Sequence, residues 1–199
     1  RRGSCACLLA RGRSIVVGRN NHADVVIVGG GPGGSTAAAL LLKYRPELRV
    51  IVLEKECFPR DHVGESQLPG ISQILDEMGV WEKVEAANFP IKIGASYTWG
   101  RDADQWDFDF FPVEHFREEA RPAKYQGQRR YTAFQVDRAI YDEILLDHAA
   151  SLGADVREGT LVRDVEVEGD RVVAVTLDSG ESVEGRWFID ASGAAGIVR

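Results

Sequence analysis

Asp24-Val25-Val26-Ile27-Val28-Gly29-Gly30-Gly31-Pro32-Gly33-Gly34-Ser35-Thr36-Ala37-Ala38-Ala39-Leu40-Leu41-Leu42 is a short apolar run that enters a glycine cluster and leaves it rich in alanine and leucine. This order reads as strand, tight turn, helix. The strand is continuously apolar rather than alternating, as expected when both of its faces are covered. Proline cannot continue a helix, so the helix should stop near Tyr44-Arg45-Pro46. Arg49-Val50-Ile51-Val52-Leu53-Glu54 then reads as a second buried strand, which completes a parallel βαβ unit within about thirty residues. The fold class predicted is α/β, a Rossmann-like domain with a parallel sheet.

Gly29, Gly31 and Gly34 fit the spacing G-x-G-x-x-G. The first permits the tight turn, the second lets the backbone approach a pyrophosphate, and the third lets helix and strand pack closely. Pro32, Gly33 and Ser35 complete the turn, and the helix that follows aims free N–H groups and its positive end at an anion. Glu54 lies twenty residues after Gly34, at the end of the second strand, where a carboxylate can accept from ribose hydroxyls. The same carboxylate repels a 2′-phosphate, which disfavours NADP. NAD and FAD both suit such a turn. A bare glycine triplet also occurs in ordinary turns, and an acid at a strand end is often merely solvated; the whole unit carries the reading.

Composition narrows the remaining classes. With 199 residues the chain can bury one sizeable core. A net charge of −7 argues against a general nucleic-acid binder, and no apolar stretch approaches the roughly 20 residues of a membrane span. Cys5, Cys7 and Cys57 show no C-x-x-C pairing, and His22, His62, His115 and His148 have no ligand spacing. No metal site and reduced thiols in a cytoplasmic protein are expected. The arginine-rich residues 1–23 read as a disordered or artefactual tail, leaving 24–199 as the domain.

Farther on, a helix is predicted from Pro69 or Gly70 to Met78, with a stop at Gly79. Phe89 to Trp99 alternates with the period of a strand and sets Lys92 on one face with Ser96 and Thr98. A second aromatic strand falls within Gln105 to Phe111, and Glu114 to Arg130 reads as a loop or excursion. Ile140, Ile144, Leu145, Ala149 and Leu152 recur at helical spacing. Val162–Val167, Val172–Leu177 and Trp187–Asp190 then form a meander around the turns Glu168-Gly169-Asp170 and Asp178-Ser179-Gly180.

Several of these segments resemble the FAD-dependent monooxygenases of the p-hydroxybenzoate hydroxylase fold, and within that superfamily most closely the flavin-dependent halogenases. They are Phe58-Pro59-Arg60 with Gly64-Glu65-Ser66, Lys92-Ile93-Gly94-Ala95 leading to Trp99-Gly100, Phe134-Gln135-Val136-Asp137-Arg138, and Asp190-Ala191-Ser192-Gly193. The resemblance runs from Asp24 to Arg199 and implies FAD as the cofactor. It places Arg60 at the cofactor's polar middle and Gly64, Glu65 and Ser66 along its ring. Lys55, Gln135, Arg138, Val162, Asp190, Ser192 and Gly193 join Glu54 and the glycine turn as cofactor-binding residues by the same resemblance. Residues 88–132 would begin an excursion into a mixed-sheet substrate domain.

The resemblance also implies a reaction. In such halogenases FADH2, oxygen and halide yield a hypohalous acid that travels to a lysine beside an electron-rich aromatic substrate. Lys92 matches that lysine as the catalytic residue, whereas its strand periodicity alone describes a solvated side chain on a sheet's outer face. An ammonium can hydrogen-bond and polarise hypohalous acid, and a free amine can form a haloamine. Ser192 stands where aromatic hydroxylases of this fold carry Asp, which leans toward an enzyme fed by a separate flavin reductase. The substrate implied is a phenol or pyrrole, free or tethered to a carrier protein. The W-x-W-x-I-P segment of halogenases would lie beyond Arg199, making this an N-terminal fragment. Two alternatives stand beside the halogenase: an NAD(P)H-dependent monooxygenase or a geranylgeranyl-reductase-like reductase, and a non-catalytic FAD-binding piece.

Overall fold

The glycine segment folds as its sequence suggests. In the computed structural model, which describes residues 20–112 and 127–197, β1 (His22–Val28) runs into α1 (Pro32–Tyr44) and the chain returns in β2 (Val50–Leu53). β1 begins two residues ahead of Asp24 because His22 and Ala23 extend its pairing with distant Glu184 and Gly185. Residues 1–19 of the expected tail lie outside the described residues, as do Cys5 and Cys7. Cys57 is disulfide-bonded, in contrast to the expected reduced thiols.

The chain divides into two units, one made of the residues up to Arg60 with those from Leu145 onward, the other of Asp61–Ile144. The first holds a six-stranded sheet in the order β7-β2-β1-β10-β9-β8, where β7 is Asp155–Arg157, β8 Val162–Glu168, β9 Arg171–Leu177 and β10 Ser182–Asp190. β7, β2, β1 and β10 run parallel; β9 and β8 complete the predicted meander with antiparallel pairing. Val25↔Val50 and Val28↔Asp190 set the register, so the ends of β1, β2 and β10 line up at the glycine turn. α1 packs on β1 and β2. An apolar cluster joins Ala23, Val26, Val28, Ile51 and Leu53 to Val162, Val175, Leu177 and Val183. Each such buried aliphatic side chain is worth about 1.5–3 kcal/mol. Edge strand β7 was not foreseen; its Arg157, 3% exposed, bonds Asp155, Asn21 and the Asn20 carbonyl.

The second unit contains α2 (Gly70–Met78), which stops at left-handed Gly79 as predicted, and a short α3 (Trp81–Ala86) that was not predicted. The single strand expected from Phe89 to Trp99 is instead two. β3 (Ile91–Lys92) pairs with β6 (Ala133–Phe134), and β4 (Gly94–Thr98) pairs with β5 (Gln105–Asp109). The break falls at Ile93-Gly94: Ile93 O accepts the Phe110 amide at 2.8 Å, and a Cβ on Gly94 would stand 2.6 Å from Phe108 O. Lys92 and Ser96 therefore do not share one sheet face. Residues 113–126 of the predicted excursion lie outside the described residues, while Gly127–Arg130 form a 3-10 turn. α4 spans Arg138–Ser151, with Tyr141, Leu145, Leu146 and Ala149 buried, whereas the predicted apolar position Ile140 is 46% exposed.

Candidate cofactor site

In the first unit the glycine turn is held by close backbone approach. Gly29 has φ +107°, donates to Leu53 O at 2.8 Å, and would place a Cβ 2.3 Å from Ala191 O. A Cβ on Gly34 would lie 1.9 Å from Gly29 O, so the first turn of α1 closes directly on the strand end. Gly33 has nothing within 4 Å of such a Cβ and is exposed. Gly31 is the N-cap of α1, Pro32 follows it, no side chain caps the helix, and its first turn holds no acid. The end of the helix is thus left with the amides and partial positive charge that suit an anion.

Glu54 is 3% exposed and braces this turn. Its Oε2 accepts the Gly30 amide at 2.6 Å and its Oε1 the Glu56 amide at 2.9 Å. Each carboxylate oxygen has a second lone pair, so acceptance from a ribose hydroxyl is compatible with both bonds. Ser35 turns inward: its hydroxyl donates to Gly30 O at 2.9 Å and its amide to Gly31 O at 2.9 Å. Arg60 lies over the turn, with Nη2 3.5 Å from the position of a Cβ on Gly31. Its guanidinium stacks 4.6 Å from the Phe58 ring centroid, and Nε pairs with Glu56 at 3.1 Å. A forked cation beside an uncapped helix start suits a diphosphate.

The Asp190-Ala191-Ser192-Gly193 segment joins the same strand ends. Ala191 donates to Val28 O at 2.9 Å, and Asp190 Oδ1 accepts both the Ser192 amide at 3.0 Å and the Ser192 hydroxyl at 2.5 Å. Crevices beyond the carboxyl ends of parallel strands are where open α/β sheets bind ligands. Two predicted residues stand apart: Lys55 is exposed, and Val162, 4% exposed, points into the apolar cluster.

The remaining predicted residues belong to the second unit. Ser66 and Gln135 form an isolated antiparallel bridge, and Glu65 O accepts the Val136 amide at 2.8 Å. Arg138 grips this segment: Nη1 donates to Val63 O at 2.7 Å and would stand 2.8 Å from a Cβ on Gly64, which has φ +114°. Its other donors form a two-pronged pair with Asp142, at 2.7 and 2.8 Å, and Asp142 is fully buried. That hydrogen-bonded pairing with Asp142 raises the Arg138 pKa above its ordinary value. The amides of Glu65 itself and Gly64, helped by the charge of Arg138, hold the Glu65 carboxyl below the usual glutamate range. Asp142 was missed in the sequence, although Arg138…Asp142 is an i,i+4 pair of opposite charge on a predicted helix. Lys92 is half-buried on β3, and its Nζ donates to Gln67 O at 3.0 Å. Among the described residues no group of acidic, histidine or cysteine side chains could hold a metal ion, and no helix is long and apolar enough to cross a membrane.

Comparison with known proteins assigns the chain to a family. The tryptophan halogenase family model matches residues 24–126 and 116–199. The chain is 41% identical over 153 residues to a 1H-pyrrole-2-carbonyl-(peptidyl-carrier protein) chlorinase of Pseudomonas fluorescens, covering 73% of this chain and 34% of that protein. It is 38% identical over 159 residues to tryptophan 2-halogenase of Chondromyces crocatus, covering 77% of this chain and 27% of that one. Among solved structures, a myxobacterial chondrochloren halogenase, described as a variant of FAD-dependent halogenases, aligns with TM-score 0.71 and 36% identity over 86% of this chain and 37% of its own. The chain therefore spans 27–34% of the length of these two curated relatives.

Proposed function

Because the chain belongs to the tryptophan halogenase family, we propose that the full-length protein is an FAD-dependent halogenase that uses FADH2, oxygen and halide on an electron-rich aromatic ring. The observation that carries the dinucleotide site is the turn itself, with an uncapped helix start, Glu54 bonded to the Gly30 amide and Arg60 over Gly31, and the family makes FAD the dinucleotide. These residues fit a dinucleotide flavin. The α1 amides and Arg60 would hold the diphosphate, and Glu54 would hold the neighbouring ribose. Ser35 and the hydrogen bond from the Ala191 amide to the Val28 carbonyl keep the turn closed. Gly64, Glu65 and Ser66, fixed by Arg138, would line the ring portion.

When bound, reduced FAD would supply two of the four electrons that reduce oxygen; the other two would come from the halide, which is thereby oxidised to hypohalous acid with release of water. The chain's own contribution to the transfer is Lys92, whose ammonium donates hydrogen bonds to the hypohalous acid and polarises its halogen toward the substrate ring. The relatives, among them a chlorinase of a carrier-protein-tethered pyrrole, support a pyrrole or similar electron-rich ring as the substrate, free or tethered to a carrier protein. A separate flavin reductase would supply FADH2, in keeping with Ser192 at the position where hydroxylases of this fold carry Asp, and both proteins would be cytoplasmic. In this reading residues 24–199 belong to the flavin-binding domain, and 88–132 begin the substrate-domain excursion.

The test is Lys92→Ala in the full-length protein, supplied with FADH2, oxygen and chloride or bromide. The expected outcome is loss of halogenated product while FADH2 oxidation continues; product formation at the wild-type rate contradicts the role of Lys92.

A further inference from the structure

A lysine is a point charge on a flexible four-carbon stem, so delivering its N–H donors to one place requires contacts at its head group. Lys92 has two. Its Nζ donates to Gln67 O at 3.0 Å and lies 5.1 Å from the centroid of the Phe110 ring. Neither partner is an anion. A carbonyl takes one of the three ammonium donors, and an aromatic face attracts a cation through its quadrupole without occupying a donor. The head group is thereby aimed while donors remain for a ligand.

Both contacts are anchored by backbone. Phe110 N–H donates to Ile93 O at 2.8 Å, one residue after Lys92, at the break between β3 and β4. Gln67 N–H donates to Phe134 O at 3.1 Å in β6, the strand that pairs Ala133 with Lys92. Phe108 packs edge-on against Phe110 at 5.4 Å and 81°, which fixes the plane of the ring. Burial pushes the Tyr141 phenol up to about 12, and the nearby Gln67 side chain pulls the other way.

We propose that Phe110 is a positioning residue for halogenation: with the Gln67 carbonyl, its ring face holds the Lys92 ammonium at one place, so that the hypohalous acid is met at a fixed distance from the substrate. This rests on the reading of Lys92 given above. No bond is made or broken at Phe110; it acts only through Lys92.

The experiment compares Phe110→Leu and Phe110→Met, which keep an apolar side chain without a π face, with Phe110→Tyr, which keeps the face. Each is made in the full-length protein. The readouts are halogenated product per FADH2 oxidised, kcat and KM for the aromatic substrate, and the acetylation rate of Lys92 by acetic anhydride followed by peptide mass spectrometry. Without the ring face, product per FADH2 and kcat should fall about tenfold with KM within about twofold, as expected for lost orientation rather than lost binding. Lys92 should acetylate several-fold faster in both, and Phe110→Tyr should match the wild type. Wild-type coupling and acetylation in the Leu and Met variants, or equal losses in all three, overturn the proposal. If Lys92→Ala retains halogenation, the role of Lys92 fails; if that variant is inactive while the Leu and Met variants behave as wild type, only the role of Phe110 fails.

Discussion

Glu54 at the end of β2 accepts the Gly30 amide in the turn after β1 at 2.6 Å while itself only 3% exposed. The acid that sequence spacing assigns to a sugar is therefore first a brace for the glycine turn. It couples the two halves of the βαβ unit, so the shape of the turn depends on β2 as much as on the glycines.

Glu54→Ala leaves the Gly30 and Glu56 amides without their acceptor. A buried donor left unsatisfied costs about 1–3 kcal/mol. Urea unfolding should show a loss of that size, and FAD titration followed by flavin fluorescence should show weaker binding. Unchanged values in both would remove the brace from the account.

Gly33 and Gly34 are neighbours with opposite tolerances. Gly34→Ala drives a Cβ to 1.9 Å from Gly29 O and should prevent the turn from closing, seen as lost flavin binding and a lower unfolding midpoint. Gly33→Ala meets nothing within 4 Å and gains helix propensity, so stability should hold or rise by up to about 1 kcal/mol. Equal destabilisation by both would contradict the packing described.

Asp142→Ala strands the Arg138 guanidinium. Removing one partner of a buried pair costs about 3–5 kcal/mol, and the Val63–Gly64 backbone held by Arg138 should loosen with it. The check is faster hydrogen exchange at the Gly64, Glu65 and Ser66 amides, with a lower unfolding midpoint.

Acid should destabilise the fold. The Arg49 amide lowers Asp24, its own and the Gly64 amide lower Glu65, and the Ser96 hydroxyl lowers Asp107, from ordinary values of 3.8, 4.5 and 3.8. A depressed folded-state pKa gives stability that is complete above the ordinary value and lost as pH falls through the folded one. Urea midpoints should stay level down to about pH 5 and decline below about pH 4. At the alkaline end the sign reverses for Tyr141, raised from 10.0 to about 12 by burial. Its contribution is present below pH 10 and lost as pH rises toward 12. Tyr141→Phe should abolish that part of the alkaline decline.

The sequence displayed β1, α1 and β2 because a two-sided buried strand leaves an unbroken apolar run and the turn demands glycine. It displayed β8 and β9 as valine-rich runs flanking the turn Glu168-Gly169-Asp170. It hid the break at Ile93-Gly94, since alternation continues across it and only the distant partners β6 and β5 divide the stretch. β7 is three residues long with a buried arginine, so neither length nor apolarity marked it. In the site, Gly29, Gly31, Gly34 and Glu54 were legible from spacing. The inward turn of Ser35 and the contact of Lys92 with Phe110, eighteen positions away, depend on tertiary folding that no local pattern encodes.

The most direct measurement is a structure of the full-length protein with FAD. The expected result is diphosphate density against the amides of Gly31, Gly33 and Gly34, with Arg60 beside it and a ribose hydroxyl within hydrogen-bond reach of Glu54. FAD bound elsewhere, with Glu54 and Arg60 in contact only with protein, would contradict the assignment of this turn as the flavin cradle.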